Sequence, residues 1–284
     1  MAHILKTILK DILPPEDISK LYSAFDIVGS IIIIKIPDSL NSKKQIIAET
    51  ILVNIKSAKS IFAQTSAVQG DYRLRTLEYL AGVNCPTTEY KEHGCRFKVD
   101  VSKTYFSPRL STERIRVSNM IADNEIITNM FAGVGTYSIL IAKNNKTCKV
   151  YSIDSNPIAN ELALLNAELN KVQERVIPIC GDAKEVIVKQ LRGTSTRVLM
   201  PLPEKAKEFV DFAVMALKEE KGMIHYFAHI KATSKKLALD NAALDIQYAF
   251  TNHDYRIVST RIVREVGPHL YQIVSDIIVH NKRS

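Results

Sequence analysis

The sequence predicts an α/β protein in which a smaller α+β unit precedes a doubly wound parallel sheet that closes in a β-hairpin. Three observations predict it. From residue 125 onward, short apolar runs alternate with helical periodicity: strands at 125–130, 149–154, 175–180, 197–200 and 222–229, helices at 136–144, 157–170, 183–191, 204–218 and 232–245. The first run opens directly into FAGVGT, a glycine turn between a buried strand and a helix. The chain then ends in YRIVSTRIVREVGP and HLYQIVSDIIVH, two strand patterns joined by a Gly-Pro turn.

The elements before the sheet follow from local chemistry. Helical periodicity covers Ile4 to Leu13 and Glu16 to Ala24. IVGSIIIIKI is so rich in β-branched residues that it predicts one strand buried on both faces, ended by Pro37. Ser42 to Ile55 predicts an amphipathic helix with Ser42 as its cap. SIFAQ, DYRLRTLEYLAG, TTEYKEHG and CRFKVDVSKTYF predict short strands, with HGC as a hairpin turn and His93 a surface residue within it. The strand pattern then gives way to PRLSTERIRVSNMIAD, helical from Ser111, with Ser111 or Thr112 as cap and Glu113 in the first turn. These shifts divide the chain into an α+β unit over 1–106, a helical connector over 107–123 and the alternating α/β unit over 124–284.

The glycine turn suggests a ligand with a nucleotide-like part. Phe131, Ala132, Gly133 and Gly135 bring backbone close to such a ligand, and the amides of the following helix face its polar atoms. Ser138 stands where a full dinucleotide fingerprint has its third glycine, so the loop alone does not fix the ligand. The second apolar run ends in Asp154, roughly twenty residues on, where an acid accepts from ribose hydroxyls. The third ends in Asp182. Each acid has a simpler use as a helix N-cap.

Composition bounds the remaining classes. The chain has 284 residues, 46% of them hydrophobic, enough for a sizeable core. Its net charge of +8 suits a polyanionic partner without requiring one. Four cysteines lie far apart with no CxxC pair, which predicts structural thiols in a reducing compartment and no metal site. The start is too short and too charged for a signal peptide, and IVGSIIIIKI is far below spanning length, so no membrane association is expected.

With FSPRLSTER, MFAGVG, the acid of SIDSNP, GDA, PLPEKAKEFVDFA and DYRLRTLEYLAG in view, the chain resembles the archaeal and eukaryotic tRNA (guanine-37-N1)-methyltransferases. The resemblance implies a class I, Rossmann-like methyltransferase domain with a terminal hairpin, preceded by an RNA-binding domain, in a short form without the extra N-terminal domain of many members. It implies S-adenosylmethionine as cofactor, held by Phe131, Ala132, Gly133, Gly135, Asp154 and Asp182, with Arg109 beside them. It implies the tRNA anticodon stem-loop as partner, and a cytoplasmic monomer. Guanine N1 carries a proton, so its methylation needs a base, and charge builds on O6. The resemblance gives the base to Glu113 and the O6 contact to Arg73, and puts Tyr105, Pro201 and Pro203 at the substrate.

From residue type alone, Glu113 is equally a first-turn acid, Arg73 a strand-edge charge and Tyr105 a core aromatic. Arg109 could bind phosphate or hold Glu113 by a salt bridge. The lysines of NSKKQ, with Arg73 and Arg75, could follow an RNA backbone or be a solvated face. Two residues depart from the family pattern. Asn129 replaces an acid before the glycine loop, and Pro201 replaces an Asn, leaving neither side-chain amide nor N–H for a base edge. Pro201 therefore keeps open methylation of the tricyclic wyosine intermediate at position 37, alone or as a second activity. More distant alternatives are an NAD(P)-dependent oxidoreductase, which explains the glycine loop but not the hairpin, and a non-catalytic RNA-binding protein.

Overall fold

The computed structural model describes residues 4–22, 25–218 and 221–280. The chain folds as two compact units, Met1–Arg109 and Leu110–Ser284.

In the first unit, α1 (Ile4–Leu9) and α2 (Pro15–Lys20) precede β1 (Asp26–Val28) and β2 (Ile31–Ile34); α3 (Lys44–Asn54) leads to β3 (Ser60–Gln64), β4 (Leu77–Gly82), β5 (Thr87–Glu92) and β6 (Cys95–Asp100). The order β1-β2-β3-β4 makes one sheet, and β5 and β6 pair as a separate hairpin. Leu5 and Leu9 of α1 and Ile47, Ala48 and Ile51 of α3 bury against Ile32, Ile34, Ile61 and Ala63 of the sheet, joining the helical period of three and four to the strand period of two.

Several local expectations are corrected here. Ile4–Leu13 is helical only to Leu9, and the second helix runs Pro15–Lys20; the end expected at Ala24 lies outside the described residues. IVGSIIIIKI is two antiparallel strands folded at Gly29, because Gly29 takes φ +56° and passes so close to β5 that a Cβ would lie 2.3 Å from the Glu89 carbonyl oxygen. All four isoleucines of β2 are buried, as the sequence predicts. Gly29→Ala is expected to destabilise this unit by about 1–3 kcal/mol. An unchanged denaturation midpoint would refute the close-approach argument.

Neither Ser42 nor the start of the connector supplies a cap. A 3-10 turn over Asp38–Lys43 precedes α3, and Lys43 stands at the cap position without a side-chain hydrogen bond. In DYRLRTLEYLAG only Leu77–Gly82 is strand; Gln69 and Leu74 pair across a tight loop in which Gly70 and Arg73 both have positive φ. CRFKVDVSKTYF stops at Asp100, whose Oδ1 accepts from the Ser102 and Lys103 amides and turns the chain. HGC is the hairpin turn between β5 and β6, with His93 and Gly94 both at positive φ.

The second unit opens on α4 (Ser111–Asn119), preceded by a 3-10 turn at Pro108–Leu110; Leu110 holds the cap position without a side-chain bond, so neither Ser111 nor Thr112 is the cap. Then come β7 (Ile126–Asn129), α5 (Thr136–Asn144), β8 (Lys149–Asp154), α6 (Pro157–Leu169), β9 (Val176–Cys180), α7 (Ala183–Val186), β10 (Arg197–Met200), α8 (Val210–Ala216), β11 (Gly222–Lys231), α9 (Lys235–Ala249), β12 (Asp254–Gly267) and β13 (Leu270–His280). The sheet order is β12-β13-β11-β10-β7-β8-β9, parallel from β9 to β11 and antiparallel at both pairings of β13. The winding reverses between β7 and β10, the place where such sheets bind ligands beyond the carboxyl ends of their strands. Residues 204–218 are not one helix: a turn follows Pro203, and Ala206–Phe209 is a 3-10 turn before α8. The helix expected at 232–245 runs later because Ser234 caps it, accepting from the Leu237 amide at 3.2 Å.

Candidate active site

The glycine loop leaves β7 at Asn129, which is fully buried. Its amide donates to Ser138 Oγ at 3.1 Å, and Ser138 Oγ lies 2.9 Å from Ser152 Oγ, so this side chain ties the strand to α5 and β8. The Asn found where the family has an acid is thus committed to the scaffold. Gly135 takes φ +86°, which lets the chain turn into α5 against Ala163 of α6.

Asp154 and Asp182 separate into two roles. Asp154 Oδ2 accepts from the Gly133 amide at 2.6 Å and Oδ1 from the Asn156 amide at 3.0 Å, so it fastens the glycine loop to the tip of β8. The cap of α6 is Asn156. Burial pushes the Asp154 carboxyl above its ordinary value, and the two amide bonds offset part of that rise. Asp182 is exposed and is the N-cap of α7, accepting from the Lys184 amide at 2.7 Å through Oδ1. Phe131 packs edge-on to Phe209 with centroids 4.9 Å apart, and Lys184 Nζ lies 4.6 Å from the Phe209 ring centre and 5.6 Å from that of Phe212. Ala132 is buried, with its amide donating to Ile153 of β8. Pro201 and Pro203 follow the end of β10, the first half-buried and the second buried. A glycine loop, a half-buried carboxylate at the tip of the second strand and the aromatic cluster of Phe131, Phe209 and Phe212 form a set that fits an adenosine-bearing ligand.

Glu113 is only 2% exposed and is held by Arg116 one turn along α4. Arg116 Nε donates to both Glu113 oxygens at 2.9 and 3.1 Å, and Nη2 donates to Oε1 at 2.7 Å. The same guanidinium reaches Asp276 of β13, with Nη1 to Oδ2 at 2.7 Å and Nη2 to Oδ1 at 3.0 Å. Arg261 of β12 lies 3.8 Å from Glu113 Oε2 and is partly exposed. Burial raises the Glu113 carboxyl above its ordinary value, more than Arg116 and Arg261 lower it. Burial also pushes Asp276 up, but His225, Arg116 and Ser259 outweigh it and hold Asp276 well below the usual carboxylate range.

In the first unit, Arg73 places its guanidinium 4.0 Å from the centre of the Tyr105 ring. Tyr105 lies in the loop after β6, half-buried, so it is neither a strand nor a core residue. Asp26 pairs with both Arg75 (3.1 Å) and Arg109 (2.8 Å), and Tyr90 packs edge-on to Phe106. Arg109 is therefore engaged by Asp26, and the clamp on Glu113 is supplied by Arg116.

Residues 88–258 match the model of the TRM5/TYW2 methyltransferase domain, and residues 5–85 that of the TYW2 N-terminal domain. The chain belongs to the TRM5/TYW2 methyltransferase family. It is 37% identical, over 91% of its length and 72% of the relative's, to the tRNA (guanine(37)-N(1))-methyltransferase Trm5b of Methanocaldococcus jannaschii. It is 36% identical, over 96% of its length and 99% of the relative's, to the tRNA 4-demethylwyosine(37)-methyltransferase Taw21 of Saccharolobus solfataricus. The crystal structure of M. jannaschii Trm5 in complex with adenosine superposes with a TM-score of 0.78 at 35% identity, covering 94% of this chain and 77% of that one. Membership of a TRM5/TYW2 methyltransferase family sets the oxidoreductase reading aside.

Within this TRM5/TYW2 fold, sequence reading missed Arg116, His225, Asp276, Asp26, Phe209, Phe212 and Lys184. Arg116 carried a signal, its i,i+3 spacing from Glu113 on a predicted helix. So did His225 in GMIHYFAHI and Asp276 in QIVSDIIV: a lone ionisable residue inside an apolar strand needs a buried partner. The others meet only through tertiary structure. Among the described residues, no helix is long and apolar enough to cross a membrane.

Proposed function

We propose that this chain transfers a methyl group from S-adenosylmethionine to N1 of guanine-37 in the anticodon loop of tRNA. The observation that carries the reading is Glu113: a buried carboxylate in the STER turn, raised by its surroundings, in a chain whose relatives include a guanine-37-N1 methyltransferase. Such a group is suited to taking the N1 proton, since a general base works best when its pKa approaches the working pH. Bound at the glycine loop, the cofactor supplies an electrophilic methyl group. Gly133, Gly135 and the amides of α5 would line it, Asp154 would accept from its ribose hydroxyls, and Phe131 and Asp182 would lie at its base. Arg73, fixed over Tyr105, is the donor assigned to O6, where charge develops as N1 is deprotonated. The 1–106 segment is assigned to reading the anticodon arm, and the 107–123 connector carries Glu113.

A second reading is methylation of 4-demethylwyosine at position 37. Two observations support it: Pro201 offers no amide to a guanine edge, and the chain is 36% identical to the 4-demethylwyosine methyltransferase Taw21. Methyl transfer from labelled S-adenosylmethionine to unmodified tRNA transcripts with guanine or adenine at position 37, followed by nucleoside analysis, tests both. Guanine-dependent 1-methylguanosine is expected. No product on either transcript, with product on tRNA already carrying the tricyclic base, would replace the first reading by the second.

A further inference from the structure

Three neighbouring strands of the second unit present polar residues at one register. Ser259 of β12 and His225 of β11 are both cross-strand partners of Asp276 on β13, and a register shift between Ile257 and Ser259 in β12 sets the first of them in place. Asp276 Oδ2 accepts from Ser259 Oγ at 2.7 Å, and its Oδ1 lies 2.6 Å from His225 Nδ1. His225 Nε2 faces Arg197 Nη1 at 2.8 Å. A guanidinium only donates, so Nε2 accepts, the imidazole is neutral, and Nδ1 carries the proton given to Asp276. Arg197 is fixed in turn by Glu125, at 2.7 Å from both Nε and Nη2. Complete burial holds His225 below its ordinary value, in keeping with the neutral ring.

One arginine therefore stands between two buried carboxylates with unequal support. Asp276 receives hydrogen bonds from His225, Ser259 and Arg116, whereas the charged groups facing Glu113 are Arg116 on its own helix, the more distant Arg261 of β12 and Asp276 itself. The better-supported carboxylate keeps its charge, and the other is where a proton is taken up. We propose that Asp276, held by His225 and Ser259, is a positioning residue that shares Arg116 with Glu113, so that Glu113 is fixed in place yet remains able to accept a proton. An arginine belonging to Glu113 alone would fix it equally well but suppress its basicity; no arginine would leave it mobile.

The inference rests on Glu113 as the base, and its test separates the two. The acid limb of the pH–rate profile is measured for single-turnover methyl transfer to guanine-37 tRNA transcript. Asp276→Asn returns Arg116 to Glu113 and is expected to move that limb to lower pH by about one unit. Ser259→Ala, at an exposed strand position, weakens the support of Asp276 and leaves Arg116 more drawn to it; a shift of a few tenths of a unit to higher pH is expected. Cofactor affinity stays at the wild-type value in both. Opposite shifts establish the sharing. A limb unmoved in Ser259→Ala, or moved the same way in both variants, overturns it, and Ser259→Ala decides the matter even where Asp276→Asn does not fold. Glu113→Gln run alongside tells the two assignments apart: wild-type turnover in that variant overturns the base and the sharing of Arg116 together, and lost turnover with unshifted limbs in the other two variants overturns the sharing alone.

Discussion

Glu113→Gln is expected to lower single-turnover methyl transfer by about 10²–10⁴-fold, the usual contribution of a positioned general base. Cofactor affinity and thermal stability should change little. The substitution keeps the side-chain shape, and the glutamine oxygen can still accept from Arg116. That arginine keeps its pairing with Asp276 and is not left as an uncompensated buried charge. Phe131, Ala132, Gly133, Gly135, Asp154 and Asp182 lie at or just beyond the carboxyl ends of β7, β8 and β9, whereas Glu113 lies on α4. Rapid-quench methyl transfer with saturating cofactor reads the rate, and equilibrium binding of S-adenosylmethionine reads the affinity. A rate within a few-fold of wild type would remove Glu113 from the role of base. A matching loss of cofactor affinity would make its role structural.

How much of this could be read beforehand differs between scaffold and site. The alternation after residue 124 was legible because buried parallel strands and their covering helices leave opposite periodicities in the chain. FAGVGT was legible because a strand-to-helix turn near a ligand needs glycine. The first unit was harder. IVGSIIIIKI does carry Gly29-Ser30, a two-residue hairpin signal, but the unbroken isoleucine run after it reads as one strand, and the close approach of Glu89 to Gly29 comes from sixty residues later. The two strand-end acids looked alike, and only their amide partners separate Asp154, which clamps the loop, from Asp182, which caps a helix. At the site, Glu113 could be singled out by motif, but its environment could not. Arg116 reaches Asp276 across 160 positions, and Asp276 meets His225 only when β13 inserts between β12 and β11.

Arg116→Met should have the largest effect on stability, about 3–5 kcal/mol at neutral pH, because it removes the charge between two buried carboxylates, leaving Asp276 with only the neutral donors His225 and Ser259 and Glu113 with only the more distant Arg261. The loss should shrink as the solution is acidified. In the wild type, Asp276 titrates below its unfolded-state value, so it contributes stability above that value and loses it as pH falls. Glu113 titrates above its unfolded-state value, so the folded state binds its proton first and its contribution declines as pH rises through that window. Without Arg116 both carboxyls titrate above their wild-type positions, each proton taken up recovers part of the deficit, and the variant's stability curve should approach the wild-type curve between about pH 7 and pH 5. Urea denaturation across that range checks it. A deficit independent of pH would mean that lost packing of the arginine stem, not stranded charge, is the main cost. Such a result would also weaken the case for Arg116 as an electrostatic bridge, because the bridge and the stability deficit depend on the same two carboxylates.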